Sequence, residues 1–414
     1  MKWIAAVVAL VGGSIVAAVT WTAVCSVPAA VGNATQAILQ FDFGEHGNVA
    51  PTNLYDAHRG YGFEPTSPNS PTTRFSVRLP EGNFRVTIRL GDRREPSETT
   101  VKAEARRLML ERVSAAKGKP VTRSFVVNVR TPALAAPPAN APGGTAVRLK
   151  PHEIGSPTWD EKLTLEFLGP AAKVRSLSVE PADVPTVYLA GDSTVTDQSA
   201  GPGASWGQML PRFFGPGIAV ANHAESGETL KSFLTSLRLD KILSTLRTGD
   251  WLMIQFGHND EKAQWPQTYV EADTTYRAYL SAYIAEVRRR GATPILITSP
   301  ERRNFDPAGH IVNSHGGYPD AVRALAAEQS VALIDLHSMS RTFYEALGPD
   351  RAALAFNDQG RDLTHHDNYG AYELAKLVVA GIRRAEPRLA GYLAADAGEL
   401  DPARPDPPET FRLP

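Results

Sequence analysis

One cysteine, Cys25, occurs in the 414 residues of the chain, and it stands close to the start. A disulfide framework is therefore excluded, and no thiolate is available downstream for a metal site. Charge of one sign is equally scarce. The 43 Lys and Arg nearly balance the 44 Asp and Glu, for a formal net charge of -1, so no strong pull toward nucleic acid or an anionic membrane surface is implied. Beyond residue 24 no apolar run is long enough to span a bilayer. There is no internal repeat. Gly201-Pro202-Gly203 is not a phosphate loop, because no Lys and helix start follow in the required place. What remains is ordinary globular composition, 43% hydrophobic and 21% charged, in a chain long enough for two domains.

Residues 1–34 read as a secretory signal. Lys2 supplies a minimal positive start, and residues 3–24 are apolar and rich in Ala and Val. Small residues then cluster at Ser26, Ala29, Ala30, Gly32 and Ala34, where a signal peptidase cuts. A retained anchor is the alternative, since the run is long enough to cross a membrane. Thr22-Ala23-Val24 before Cys25 fits a lipidation box poorly. Asn33-Ala34-Thr35 is a glycosylation sequon by pattern only. The expectation is a secreted or periplasmic bacterial protein, not held at a membrane once the signal is removed; Arg- and Ala-rich usage points to GC-rich DNA.

Residues 37–180 lack helical periodicity over most of their length. Short alternating or apolar runs recur at 38–43, 74–79, 83–90, 99–104, 107–111, 123–129, 146–149, 162–167 and 174–179. Pro, Gly and Asn separate them. Strands at this spacing predict an all-β sandwich or jelly roll. The Pro- and Ala-rich stretch 131–144 reads as a flexible excursion, and residues 181–185 as the domain boundary. Tyr55, Tyr61 and Phe63 are either a ligand face or core, core being the commoner use.

From residue 187 the pattern changes to strand–helix alternation. Apolar runs at 187–190, 218–221, 251–256, 294–298 and 331–336 are strand candidates. Helical periodicity occupies 229–247 with a break near Ser236, then 275–290, 319–329 and 369–384. Five strands with crossover helices predict an α/β fold, a flavodoxin-like, doubly wound parallel sheet. Residues 394–414 read as a peripheral, Pro- and Asp-rich tail.

In such a sheet, chemistry collects in the loops at the carboxyl ends of the strands. Four loops there carry suitable residues. The first is Gly191-Asp192-Ser193-Thr194, the second Asn222-His223-Ala224-Glu225-Ser226-Gly227, the third Gly257-His258-Asn259-Asp260, and the last Asp362-Leu363-Thr364-His365. A serine hydroxyl attacks carbonyls poorly unless a base takes its proton. His365 is a candidate base, and Asp362, three residues earlier, can hold and polarise it. The backbone N–H groups of Ser193 and Gly227 and the side-chain amide of Asn259 can supply an oxyanion hole. His258 either orders the Asn259 loop or packs.

These four blocks resemble those of the SGNH (GDSL-like) hydrolase superfamily. The nearer resemblance is to the rhamnogalacturonan acetylesterase family, carried by Gly191 to Asp197, Ala204-Ser205-Trp206-Gly207-Gln208, the Asn222 to Gly227 block, Phe256 to Asp260 and Asp362 to Ala371. It covers residues 187–384. It implies the SGNH hydrolase fold, Ser193 as nucleophile, Gly227 and Asn259 in the oxyanion hole, and Asp362 and His365 completing a triad; no cofactor or metal is expected, since suitably spaced ligands are missing near His365 and His366. The preceding β-region resembles, more loosely, the sandwich (galactose-binding-like) module found before the catalytic domain in bacterial relatives. An α/β-hydrolase is disfavoured: no Gly-x-Ser-x-Gly elbow surrounds Ser193, and acid and base share one loop.

Other side chains have competing readings. His366 is the rival to His365, though the Asp362 spacing favours His365. Asp335 is either an alternative partner for a histidine or a helix cap. Glu225 and Glu228 read as solvated loop carboxylates that touch a sugar hydroxyl at most. Trp206 is core or a sugar platform, with core favoured; Trp265, in a polar loop, is a stacking candidate. Arg302 and Arg303 either grip an acidic polysaccharide or form an exposed loop pair. The expected function is a serine carbohydrate esterase that removes acetyl groups from a pectic polysaccharide. The competing readings are another ester hydrolase of the superfamily, acting on xylan or other acyl esters, and a non-catalytic carbohydrate-binding protein. Oligomeric state is not legible.

Overall fold

The alternation of Phe84, Val86, Ile88 and Leu90 with Arg85, Thr87 and Arg89 sets one side of a strand inward and the other outward. The same logic builds the whole N-terminal region. A computed structural model describes residues 38–44, 47–65 and 72–414. The expected leader, with Cys25 and the Asn33 sequon, lies outside the described residues. Nine strands come first: β1 (Leu39–Asp42), β2 (Tyr61–Phe63), β3 (Thr73–Arg78), β4 (Gly82–Leu90), β5 (Ser97–Ala103), β6 (Arg107–Ala115), β7 (Val121–Val129), β8 (Lys162–Ala171) and β9 (Val174–Pro181). They form two antiparallel sheets, in the orders β1-β9-β4-β7 and β2-β3-β8-β5-β6. Phe75, Val77, Val101 and Leu165 of one sheet share a core with Val86, Ile88, Phe125 and Leu177 of the other. Tyr61 and Phe63 pack against that core, so they are not a free ligand face.

The expected strand at 146–149 is absent. Ala146 makes only an isolated bridge to Ala133, and the segment runs on through two single 3-10 turns, Pro151–Glu153 and Pro157–Trp159.

The second half opens with β10 (Thr186–Gly191), the two-residue β11 (Gly203–Ala204), β12 (Ala219–Asn222), β13 (Trp251–Gln255), β14 (Thr293–Ile297), β15 (Ala332–Ile334) and the two-residue β16 (His366–Asp367). Five of these make one parallel sheet in the order β12-β10-β13-β14-β15. Counted by first appearance this is 2-1-3-4-5, the flavodoxin-like order, whose switch point lies between the first and third strands. Side chains of the central strands alternate between two cores, as period-2 geometry requires. Val187, Leu189, Trp251 and Met253 face one; Tyr188, Ala190, Leu252 and Ile254 face the other.

The helices are α1 (Trp206–Met209), α2 (Leu230–Thr235), α3 (Arg238–Thr245), α4 (Arg277–Arg289), α5 (Tyr318–Glu328), α6 (Leu336–Ala352), α7 (Asn368–Ala385) and α8 (Pro387–Ala390). α2 to α5 cover the second core through Phe233, Ile242, Tyr283 and Leu325. α1, α6 and α7 cover the first through Trp206, Phe343 and Leu374. The break near Ser236 separates α2 from α3, with Leu237 left-handed at φ 64°. α6 has no counterpart in the periodicity reading. Its Gly348, at φ 74°, and Pro349 interrupt the repeat, yet Leu336, Met339, Phe343 and Leu347 bury one stripe.

The tail is not peripheral. Phe411 packs on Tyr369 and Tyr372 with ring centroids 5.6 and 5.4 Å away. Lys376 of α7 pairs with Asp406 at 2.7 Å. Ala37–Pro414 form one compact unit. Among the described residues no helix is long and apolar enough to cross a membrane.

Candidate active site

The chain leaves β10 through a tight turn. Asp192 is fully buried, and its Oδ1 accepts the backbone N–H and the hydroxyl of Thr194 at 3.0 and 2.9 Å. That Asx turn sets the backbone at Ser193, which is itself buried. Ser193 Oγ lies 2.9 Å from His365 Nε2. His365 Nδ1 lies 2.8 Å from Asp362 Oδ2. A carboxylate can only accept, so Nδ1 carries the proton and Nε2 accepts from the serine hydroxyl. Ser193, Asp362 and His365 thus meet in one hydrogen-bonded line.

Asp362 is fixed before it touches the ring. Its Oδ1 accepts the backbone N–H groups of Thr364 and His365 at 2.8 and 2.9 Å. Burial pushes this carboxyl up, but those N–H groups and the His365 ring outweigh it and hold it below the usual carboxylate range. The loop is anchored at its end by β16, which pairs with β11. His366 points the other way. It is buried and bonded to the Tyr344 hydroxyl at 2.7 Å, so it does not reach Ser193.

Two backbone donors of these loops are left unpaired. Among the described residues neither Ser193 N–H nor Gly227 N–H has an acceptor within the protein. Gly227 sits at φ 78°, a conformation that disfavours any side chain. The amide of Asn259 is oriented from both ends: Nδ2 donates to Glu228 O at 3.1 Å, and Oδ1 accepts from Lys262 Nζ at 2.8 Å. One N–H of that amide remains to donate elsewhere. Lys262 Nζ in turn lies 4.0 Å from the centroid of Trp265, whose ring is 40% exposed. Lys262 thus links Asn259 to a partly exposed Trp265.

Beneath the turn, His258 approaches Asp192 Oδ2 at 3.4 Å. Burial pushes this imidazole down to about 4, so it is neutral at neutral pH and the contact is not an ion pair. Burial likewise raises Asp192, but His258 and the Thr194 donors outweigh it and hold the carboxyl low. Asp260 has no such help; burial pushes it up to about 8, although its Oδ1 accepts from Leu230 N–H at 2.9 Å.

Three expectations need correction. Trp206 has no exposed surface, and its Nε1 donates to Gln255 Oε1 at 2.7 Å. It cannot touch a sugar. Gln255 Nε2 donates to Thr194 Oγ1 at 2.8 Å, so Trp206 braces the nucleophile turn from behind. Arg302 is not free for a carboxylate ligand either. Its guanidinium pairs with Glu261 at 2.5 Å and donates to Ser314 O at 3.1 Å; Arg303 donates to Gly360 O. Glu225 and Glu228 are not solvated, at 6% and 3% exposed. Glu225 accepts from His152 Nε2 at 3.0 Å, and Glu228 pairs with Lys150 at 2.9 Å. Asp335 caps α6 through Ser338 N–H and binds Arg323.

Lys150, His152, Lys262, Gln198 and Gln255 were not singled out by sequence. Gln198 donates to Ser193 O at 3.0 Å. None belongs to a recognisable motif; only Gln255, a lone polar residue ending an apolar strand, stands out in the pattern. Among the described residues no cluster of three His, Cys, Asp or Glu is arranged to hold a metal ion.

Comparison with known proteins gives a consistent picture. The GDSL-like lipase/acylhydrolase family matches residues 189–371. The chain is 38% identical over 226 residues to the rhamnogalacturonan acetylesterase RhgT of Bacillus subtilis, covering 51% of this chain and 96% of that protein. It is 40% identical over 202 residues to the probable rhamnogalacturonan acetylesterase YesY of the same organism, covering 48% of this chain and 92% of that protein. Among solved structures, Bacillus subtilis YxiM aligns with a TM-score of 0.48 and 25% identity, over 84% of this chain and 98% of that one.

Proposed function

Because the chain belongs to the GDSL-like lipase/acylhydrolase family and is a carboxylic ester hydrolase, we propose that it is a serine carbohydrate esterase that removes acetyl groups from a pectic polysaccharide. The observation that carries the reading is the line from Asp362 through His365 to Ser193, with links of 2.8 and 2.9 Å. In this reading Ser193 Oγ attacks the acetyl carbonyl and His365 Nε2 takes its proton. Asp362, held ionised, stabilises the imidazolium that forms. The N–H groups of Ser193 and Gly227 and the Asn259 amide receive the oxyanion. Collapse breaks the bond to the sugar oxygen, which leaves with the proton from His365. Water, deprotonated by His365, then attacks the acetyl-enzyme and frees acetate and Ser193.

The pectic substrate is supported by the relatives, named as rhamnogalacturonan acetylesterases at 38% and 40% identity. In this reading the partly exposed Trp265 stacks on the polysaccharide. Export follows from reading residues 1–34 as a signal. The test is acetate release from acetylated rhamnogalacturonan, with acetylated xylan beside it, by the wild type and Ser193→Ala. Release from the pectic substrate that is abolished in the variant is expected. Release from xylan alone overturns the substrate. Release that survives in Ser193→Ala overturns the mechanism.

A further inference from the structure

We infer that the β-rich half contributes working parts to the active site: Lys150 and His152 are positioning residues that hold the 225–228 loop, and with it Gly227 N–H, at the oxyanion. The inference rests on the reading of Gly227 as an oxyanion donor. Neither residue lies within the stretch that matches the family, 189–371.

The physical problem is on the loop itself. Glu225 and Glu228 flank Gly227 closely, and both are buried. A buried carboxylate is costly unless cations and donors surround it. Here they come from one segment of the other half. Lys150 Nζ sits 2.9 Å from Glu228 Oε1 and also donates to Ser226 O. It is 3.5 Å from where a Cβ on Gly227 would stand. One ammonium thus holds the peptide before Gly227 and the side chain after it. His152 Nε2 binds Glu225 Oε1 at 3.0 Å, and the same oxygen accepts Ser226 N–H at 2.7 Å. Glu225 N–H donates to Gly191 O at 3.1 Å, which ties the loop to the start of the nucleophile turn.

The segment that carries Lys150 and His152 is itself anchored. Glu153 pairs with the fully buried Arg238 of α3 and accepts Lys150 N–H at 2.8 Å. Trp159 Nε1 donates to Glu153 Oε1 at 2.9 Å, and Arg130 covers the Trp159 ring at 4.6 Å. Arg238 Nε reaches Glu228 at 3.8 Å. The loop is therefore fastened at three points to a rigid support. Donors aimed in advance at the oxyanion are what accelerates acyl transfer, and a loop fixed in this way keeps Gly227 N–H aimed.

The test uses the full chain and p-nitrophenyl acetate, a substrate too small to need polysaccharide contacts. Lys150→Met removes the ammonium and leaves Glu228 Oε1 with only the distant Arg238, the Ser232 hydroxyl being on the other oxygen. We expect kcat to fall about 10- to 100-fold with KM within twofold, the signature of an interaction made only in the transition state. Lys150→Arg restores most of the loss. His152→Ala lowers kcat less, and His152→Gln, which keeps a donor for Glu225, retains it. The His152 side chain is 61% exposed, so this pair carries the test if Lys150→Met does not fold. Wild-type kcat in both Lys150→Met and His152→Ala overturns the inference, as does a loss that appears only in KM or is not rescued by the conservative variants. Ser193→Ala run in parallel separates this from the parent reading. If it is inactive while Lys150→Met and His152→Ala keep wild-type kcat, the positioning role alone fails; if it stays active, the parent reading fails.

Discussion

Asp362 accepts two backbone N–H groups with one oxygen and the His365 ring with the other. This side chain therefore owes its charge to its own loop, which is why the Asp-x-x-His spacing was legible in sequence. Asn259 is different. Its identity was legible, but its orientation depends on Lys262, which no motif marked. Asn259→Ala should lower kcat by about 10²–10³ with KM little changed, as loss of one oxyanion donor does; steady-state kinetics on an acetyl ester checks it. Asp260 makes a prediction in pH. Burial pushes its acid up to about 8, so the folded state binds the proton more tightly than the unfolded state. The stability it contributes is full below the unfolded value of about 4, falls as pH rises, and is gone above about 8. Asp260→Asn, neutral throughout, should lose less thermal stability than the wild type between pH 6 and 8.5. Equal losses in melting scans across that range would contradict the assignment.

Elements were legible where periodicity is unbroken. The continuous apolar run Val187-Tyr188-Leu189-Ala190 lies within β10, and the parallel order of the sheet followed from strand–helix alternation. α6 escaped because its first residue, Leu336, closes the apolar run 331–336 that reads as strand, and the run at 146–149 misled because an apolar residue such as Val147 can bury in an irregular segment without a sheet partner. Burial of single residues was less legible still. Trp206 stands beside the nucleophile in sequence yet braces its turn from the core side, through Gln255 and Thr194. Trp206→Ala should cost about 3–5 kcal/mol in urea denaturation. Trp206→Phe fills most of the volume but leaves Gln255 Oε1 without its donor. It should lose less stability than the alanine variant and still lower kcat. A phenylalanine variant with wild-type kcat would show that the brace is only filler.

The two halves are joined by charges that are themselves buried. Arg107 of β6 meets Asp197 at 2.5 Å, with side chains 1% and 3% exposed, and Asn222 Nδ2 donates to the same carboxylate at 2.8 Å. Arg130 donates to Asn222 O. These links were invisible in sequence because their partners lie some 90 residues apart. Removing one member of a buried pair leaves the other uncompensated. Arg107→Met should cost about 3–5 kcal/mol in global stability, read from the urea midpoint by circular dichroism and tryptophan fluorescence together. Coincident transitions are expected, since Ala37–Pro414 form one compact unit; two separated transitions would mean that the halves unfold independently.

Whether Ser193 is the nucleophile decides the account. Treating the full chain with a p-nitrophenyl phosphonate and locating the adduct by peptide mass spectrometry reads this without a natural substrate. One phosphonyl group on the peptide containing Ser193, with stoichiometric release of p-nitrophenol and no adduct in Ser193→Ala, is the predicted result. Labelling at another residue, or Ser193 left unmodified while p-nitrophenyl acetate is still hydrolysed, would contradict it.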